Sequence, residues 1–161
     1  RHICNNCGMI HYQNPKIIAG CVILEDDEVL LCRRAIQPRC GLWTLPAGFM
    51  ENGETVAQAA LRETWEEAQA RPELDSLYVV TSIPKISQVY MLYLGYLHGG
   101  GFSSGPESLE VNLFSMDKIP WGELAFHTVE DTLRCLREDL KCGSFPLHCI
   151  ERKESQISVK R

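Results

Sequence analysis

The stretch Gly48–Ala70, GFMENGETVAQAALRETWEEAQA, constrains the fold more than any other part of the chain. Glu63, Glu66 and Glu67 are spaced i, i+3, i+4, so a helix brings all three onto one face. At about 100° per residue they fall within an arc of roughly 100°. Ala57, Leu61, Thr64 and Ala68 fall on a neighbouring arc suited to packing against a core. One helix can therefore pack with one side and carry clustered negative charge on the other. Like charges this close destabilise a helix unless something neutralises them. A divalent cation would do so, and an all-oxygen ligand set suits Mg²⁺ or Mn²⁺ better than zinc. The carbonyl of Gly48 can join the three carboxylates around such an ion.

The start of this helix is also legible. Thr55-Val56-Ala57-Gln58 fits a capping box, with Thr55 as N-cap and Gln58 reaching back. Asn52-Gly53 before it is turn chemistry, and Pro46-Ala47-Gly48 lets backbone approach a ligand closely. Arg62 and Glu54 can form an ion pair that fixes this loop against the helix, or a weak surface salt bridge.

The 161 residues suffice for one domain with a sizeable core. A net charge of −5 argues against nucleic acid as a main partner, although a metal and a few arginines can reverse the field locally. No apolar run approaches the length that spans a bilayer. Of the eight cysteines, Cys21 and Cys32 lie in apolar, strand-like runs where a thiol behaves as a small hydrophobe. The expectation is an intracellular, reducing compartment: cytoplasm in a bacterium, plastid in a plant or alga. The chain opens on Arg1 rather than Met, which sets an expectation of further residues upstream.

Along the chain, Cys4-Asn5-Asn6-Cys7 is the C-x-x-C half of a zinc ribbon with no second pair in view. Cys4 and Cys7 are the candidate ligands of a structural zinc, His11 a third, and a turn without metal is the alternative. Lys16 to Glu25 and Val29 to Arg34 read as a hairpin about a turn at Asp26-Asp27. Arg33 and Arg34 close it, either as a charged strand end or as planar forks for a substrate phosphate. Trp43 reads as core. Arg71-Pro72 stops the carboxylate helix, and two strands follow over Leu77 to Ser87 and Gln88 to His98. Gly99 to Pro106 (GGGFSSGP) reads as a mobile loop beside a site, followed by a short strand ending at Phe114. A second helix is expected over roughly Trp121 to Lys141, ended by Gly143. The domain reading is a ribbon remnant over 1–15, one catalytic domain over 16–150, and a loose tail over 151–161.

Gly48, five residues, Glu54, seven residues, then Arg62-Glu63-Thr64-Trp65-Glu66-Glu67 resembles the Nudix box. The pattern departs at Gln69 and Ala70, where that family has Gly and an aliphatic residue, which bears on how the helix ends. The resemblance implies an α/β fold: the Nudix α/β/α sandwich, a mixed sheet between two main helices. It implies hydrolysis of a nucleoside diphosphate linked to another group, with Glu63, Glu66 and Glu67 as ligands of Mg²⁺ or Mn²⁺. Glu63 can instead be the base, and Arg62 orients the box. A glutamate just after the loop completes the site in many relatives. Glu110 holds that position, as further ligand or general base, with Glu107 as the alternative.

The match extends to Tyr12-Gln13-Asn14-Pro15-Lys16, Gly41-Leu42-Trp43-Thr44-Leu45-Pro46, Gly105-Pro106-Glu107-Ser108-Leu109-Glu110 and Ile119-Pro120-Trp121. These segments are similar to the subgroup with an N-terminal zinc ribbon, which includes FAD and ADP-ribose pyrophosphatases of plant plastids and bacteria. That implies a small dinucleotide substrate, AMP as a product, no membrane partner and a homodimer. Phe126, Tyr90 and Tyr93 can stack on a ring or simply fill core. Two other readings are kept: a nucleotide-sanitising triphosphate pyrophosphatase, and a nucleotide-sensing module without turnover.

Overall fold

The computed structural model describes residues 1–153 and 156–160. A small hairpin, His2–Ile3 (β1) with Ile10–His11 (β2), precedes the main sheet. Lys16–Glu25 (β3) and Glu28–Arg34 (β4) then set the layers. Their side chains alternate, as strands require. Ala19, Cys21, Ile23, Leu30 and Cys32 enter one core, and Val22, Leu24, Val29 and Leu31 the other.

β3 and β4 pair only at their hairpin end, Leu24 with Val29 and Glu25 with Glu28. Beyond that they part, and short strands take the exposed edges. Ala47–Phe49 (β6) pairs with β3, while Trp43–Thr44 (β5) pairs with β4. The helix Val56–Ala68 (α1) follows directly, so the loop before it starts in the opening between the two strands. Glu73–Ile83 (β7) and Gln88–Tyr96 (β8) form an antiparallel pair, and β8 runs parallel to β3 over nine residue pairs. Ser108–Ser115 (β9) lies along β4. The second helix, His127–Cys142 (α2), covers the opposite face with Val129, Leu133 and Leu136. His148–Lys153 (β10) adds in parallel to β7, and Gln156–Lys160 (β11) adds in antiparallel to β10.

A mixed sheet between α1 and α2 matches the expected architecture, with differences of detail. Trp121–Glu123 is a 3₁₀ turn, and the second helix begins six residues later than expected, at His127. β7 starts at Glu73 and ends in a 3₁₀ turn at Pro84–Ile86. The stretch 151–161, expected as a loose tail, carries the end of β10 and then β11; residues 154, 155 and 161 lie outside those described. Trp43 is core, edge-on to Phe114 with ring centroids 4.8 Å apart. On α1 the buried residues are Ala59, Ala60, Thr64, Glu67 and Ala68, whereas Leu61 is exposed. The helix is thus turned further than its apolar residues alone suggest, and one of the three box glutamates faces inward.

Candidate active site

The capping box forms as read. Thr55 Oγ1 accepts from the Gln58 N–H at 3.2 Å, and Gln58 Oε1 accepts from the Thr55 N–H at 2.8 Å. At the other end Gln69 takes the left-handed conformation (φ 49°) that Gly would adopt, and its side-chain amide donates to the Trp65 carbonyl. The departure from the family pattern therefore leaves the helix ending in the usual geometry.

Arg62 organises the loop. Its Nε and Nη2 donate to the two Glu54 carboxylate oxygens at 3.0 and 2.7 Å, and Nη2 also donates to the Phe49 carbonyl at 3.1 Å. Nη1 donates to Glu63 Oε1 at 2.6 Å and to Glu66 Oε2 at 3.3 Å. This fork, with the Glu51 N–H, holds the Glu54 carboxyl down at about 2. The pair is bidentate and fixes the loop, beyond what a lone surface salt bridge does.

Glu63 lies over the backbone of Gly48, where a Cβ would overlap its carboxylate. A side chain at 48 would have to displace the Glu63 carboxylate from this place. Burial pushes the Glu63 carboxyl up, against the pull of Arg62. Glu67 is buried, 6% exposed, and accepts from the Ala47 N–H at 3.2 Å. Burial, followed by the charges of Glu63 and Glu107, pushes its carboxyl up to about 8, opposed by the Ala47 N–H and by Arg34. Glu66 is the outermost, half exposed. Among the described residues no three acid, thiol or imidazole side chains are gathered closely enough to hold a metal ion. The like charges repel one another, and Arg62 binds Glu63 and Glu66.

The two arginines at the end of β4 part ways. Arg34 donates from Nε to the Pro38 carbonyl at 2.9 Å, and its guanidinium lies 5.2 Å from the Phe126 ring centroid. Its charge reaches Glu67. Arg33 donates to the Gly41 carbonyl at 2.9 Å and meets Glu110 at 3.5 Å. Glu110 also accepts from Asn112 Nδ2 at 2.5 Å, so both partners hold it on β9, opposite Arg33. Glu107, three residues earlier, adds a small upward push to the Glu63 and Glu67 carboxyls, behind burial in both. A signal for this lies in Gly105-Pro106-Glu107-Ser108, where Pro at the second position of a β-turn sets Glu107 third.

Elsewhere, Cys4 and Cys7 sit in the β1–β2 hairpin, closed by Gly8 N–H to the Cys4 carbonyl at 2.9 Å. Backbone N–H groups of Cys7 and Asn6 hold the Cys4 thiol below its ordinary value. All eight cysteines are free thiols, and burial pushes Cys21 up to about 11. No helix among the described residues is long and apolar enough to cross a membrane.

The fold is a mixed sheet between two helices, with a glutamate-rich helix entered through a glycine-led loop. The NUDIX domain model matches residues 14–132, and the chain belongs to the Nudix hydrolase family. A crystal structure of a NUDIX hydrolase from Nitrosomonas europaea is 52% identical, with a TM-score of 0.86, over 94% of this chain and 88% of that one. The ADP-ribose pyrophosphatase of Methanocaldococcus jannaschii is 34% identical over 71% of this chain and 69% of its own length. The NAD-capped RNA hydrolase NudC of Edwardsiella ictaluri is 34% identical over 84% of this chain, which spans 54% of that relative's length. That relative's name sets an RNA substrate beside the expectation, drawn from net charge, that nucleic acid is no main partner.

Proposed function

We propose that the chain hydrolyses the pyrophosphate bond of a nucleoside diphosphate linked to a further group, releasing AMP from ADP-ribose or FAD. The observation that carries this is Glu67: a buried acid among like charges, served by one backbone N–H, beside the clamped pair Arg62–Glu54. A divalent cation fits that site because Glu63, Glu66, Glu67 and the Gly48 carbonyl offer only oxygen and carry charge that needs neutralising. Mg²⁺ or Mn²⁺ bound there would offset the negative charge of the pyrophosphate and acidify bound water.

The remaining roles belong to the chain itself. Arg62 locks the loop so that Gly48 and Glu63 keep their approach. Arg34 offers its outer nitrogens to a phosphate, since Nε is already bound to Pro38. Glu107 completes the cation site by adding its charge and accepts the proton of the attacking water, because its backbone is docked between the ends of α1 and β4 while Glu110 is paired with Arg33 and Asn112. On this reading Glu107→Gln lowers the rate by roughly 10²–10⁴ and Glu110→Gln far less. The reverse ranking restores Glu110 as the base.

The decisive assay is AMP release from ADP-ribose, FAD and a nicotinamide dinucleotide, with Mg²⁺, with Mn²⁺ and with EDTA. The relatives named for NAD-capped RNA put the last substrate on the panel. Metal-dependent AMP release supports the proposal. Cleavage of nucleoside triphosphates alone points to the sanitising reading, and binding without turnover to the sensing one. A homodimer is carried on family resemblance, and a monomeric mass by light scattering at micromolar concentration would refute it.

A further inference from the structure

The last carbonyls of a helix have no partner within the helix. At the end of α1 the segment read as a mobile loop supplies them. Ser103 N–H donates to the Ala68 carbonyl at 2.9 Å, and Gly105 N–H to the Glu67 carbonyl at 3.0 Å. At Gly105 the approach leaves no room for a side chain: a Cβ would overlap the Glu66 carbonyl oxygen. Gly105 is buried, although Gly101, Ser103, Ser104, Pro106 and Glu107 around it are exposed. The chain then turns at once, with Ser108 N–H bonded to the Gly105 carbonyl at 3.1 Å and Pro106-Glu107 at the corner. Beyond the corner the Glu107 carbonyl accepts from the Ala35 N–H at 2.8 Å, directly after Arg34. Glu107 is thus held from both sides, between the end of α1 and the end of β4.

We infer that Gly105 is the positioning residue of Glu107: its docking on the α1 carbonyls sets where Glu107 stands beside the end of α1 that carries Glu63, Glu66 and Glu67. The segment acts as a fixed strap rather than a lid. A side chain at 105 must lift the strap off the Glu66 carbonyl and so withdraw Glu107, leaving Glu63, Glu66 and Glu67 in place. This rests on the reading that Glu107 completes the cation site.

The test is Mn²⁺ binding to the full chain by calorimetric titration, for Gly105→Ala, Glu107→Gln, the double variant and Gly101→Ala. Gly101 shares the loop, but a Cβ there meets nothing within 4 Å. We expect Gly105→Ala and Glu107→Gln each to weaken Mn²⁺ binding by roughly tenfold or more. The double variant should be no weaker than Glu107→Gln, and Gly101→Ala should match the parent. Unchanged binding in Gly105→Ala, or a further loss when it is added to Glu107→Gln, overturns the positioning role. Parent-like binding by Glu107→Gln overturns the underlying reading and the inference with it. Should Gly105→Ala fail to fold, amide hydrogen exchange on the parent chain decides. The Ser103 and Gly105 amides should then exchange far more slowly than that of Gly101, and equal exchange overturns the strap.

Discussion

Both helices bury acids against the sheet and treat them in opposite ways. On α2, Asp131 is gripped by Arg152 through Nε at 2.6 Å and Nη2 at 3.1 Å. Asp139 Oδ2 accepts from the Tyr78 hydroxyl at 2.7 Å and meets His148 Nε2 at 2.6 Å. On α1, Glu67 is as deeply buried, yet its hydrogen bond is to one backbone N–H, and Glu63 and Glu107 add like charge. The α2 pairs join elements distant in sequence, holding β10 and β7 to the helix. Among the described residues Glu67 has no ion-pair partner within 4 Å. A buried acid with its own donors ties a fold together; a buried acid among other acids weakens it unless its charge is neutralised.

The packing differs in the same sense. α2 meets the sheet through Val129, Leu133 and Leu136, large side chains that supply hydrophobic burial. α1 meets it through Ala59, Ala60 and Ala68. Small residues bring the helix close, which carries Glu67 under the Ala47 N–H.

The contrast breaks most visibly at Glu67. Glu67→Gln should lower metal-dependent AMP release by about a thousandfold or more, while the metal-free melting temperature stays level or rises. Substantial turnover, or a clear fall in melting temperature, would make Glu67 a structural acid like those of α2.

Asp139→Ala probes the other side. It leaves Tyr78 and His148 facing a lost partner in the core, so unfolding in urea should show a loss of about 3–5 kcal/mol. AMP release per folded molecule should be unchanged below the new transition. A loss of specific activity without a loss of stability would merge the two regions.

Acid titration sharpens the comparison at smaller scale. Glu67 is raised in the folded chain, so the folded state holds its proton to higher pH than the unfolded one. Its contribution to stability is then complete below the ordinary carboxylate value and lost as pH climbs towards about 8. Glu63 shifts in the same direction. In EDTA the melting temperature should fall between pH 5 and pH 8, and saturating Mn²⁺ should flatten that fall. A rising curve in EDTA would contradict the unpaired acid.

The smallest effect concerns the end of α1. Gln69 is left-handed, a conformation that costs a side chain roughly 1 kcal/mol, but its amide recovers part of this at the Trp65 carbonyl. Gln69→Gly should change stability by less than about 1 kcal/mol and leave turnover intact. A large loss would mean that the side chain, not the backbone, sets how the helix ends.

Much of the site was legible because it is local. The capping box, the spacing of Glu63, Glu66 and Glu67, and the Arg62–Glu54 reach all lie within a few helical turns, where 3.6 residues per turn decides what meets what. The alternation in β3 and β4 likewise follows from the two-residue period of a strand. What escaped was the docking of one element on another.

Which face of α1 is buried depends on where the sheet meets it, and the sheet took Glu67 where the apolar pattern pointed to Leu61. His148–Glu151 found the edge of β7 that β8 leaves open, and β11 in the tail pairs in turn with β10. Glu107 and Glu110 stand three residues apart on one short segment, and nothing in their spacing ranks them. Their surroundings differ: Gly105 docks on the α1 carbonyls and the Ala35 N–H binds the Glu107 carbonyl, while Arg33 and Asn112 meet the Glu110 carboxylate on the strand. The carboxylates and their register on the helix belong to the sequence by itself. Which acid faces inward and where the loop docks were decided by helix–sheet and loop–helix packing, because burial and close approach are properties of two surfaces in contact.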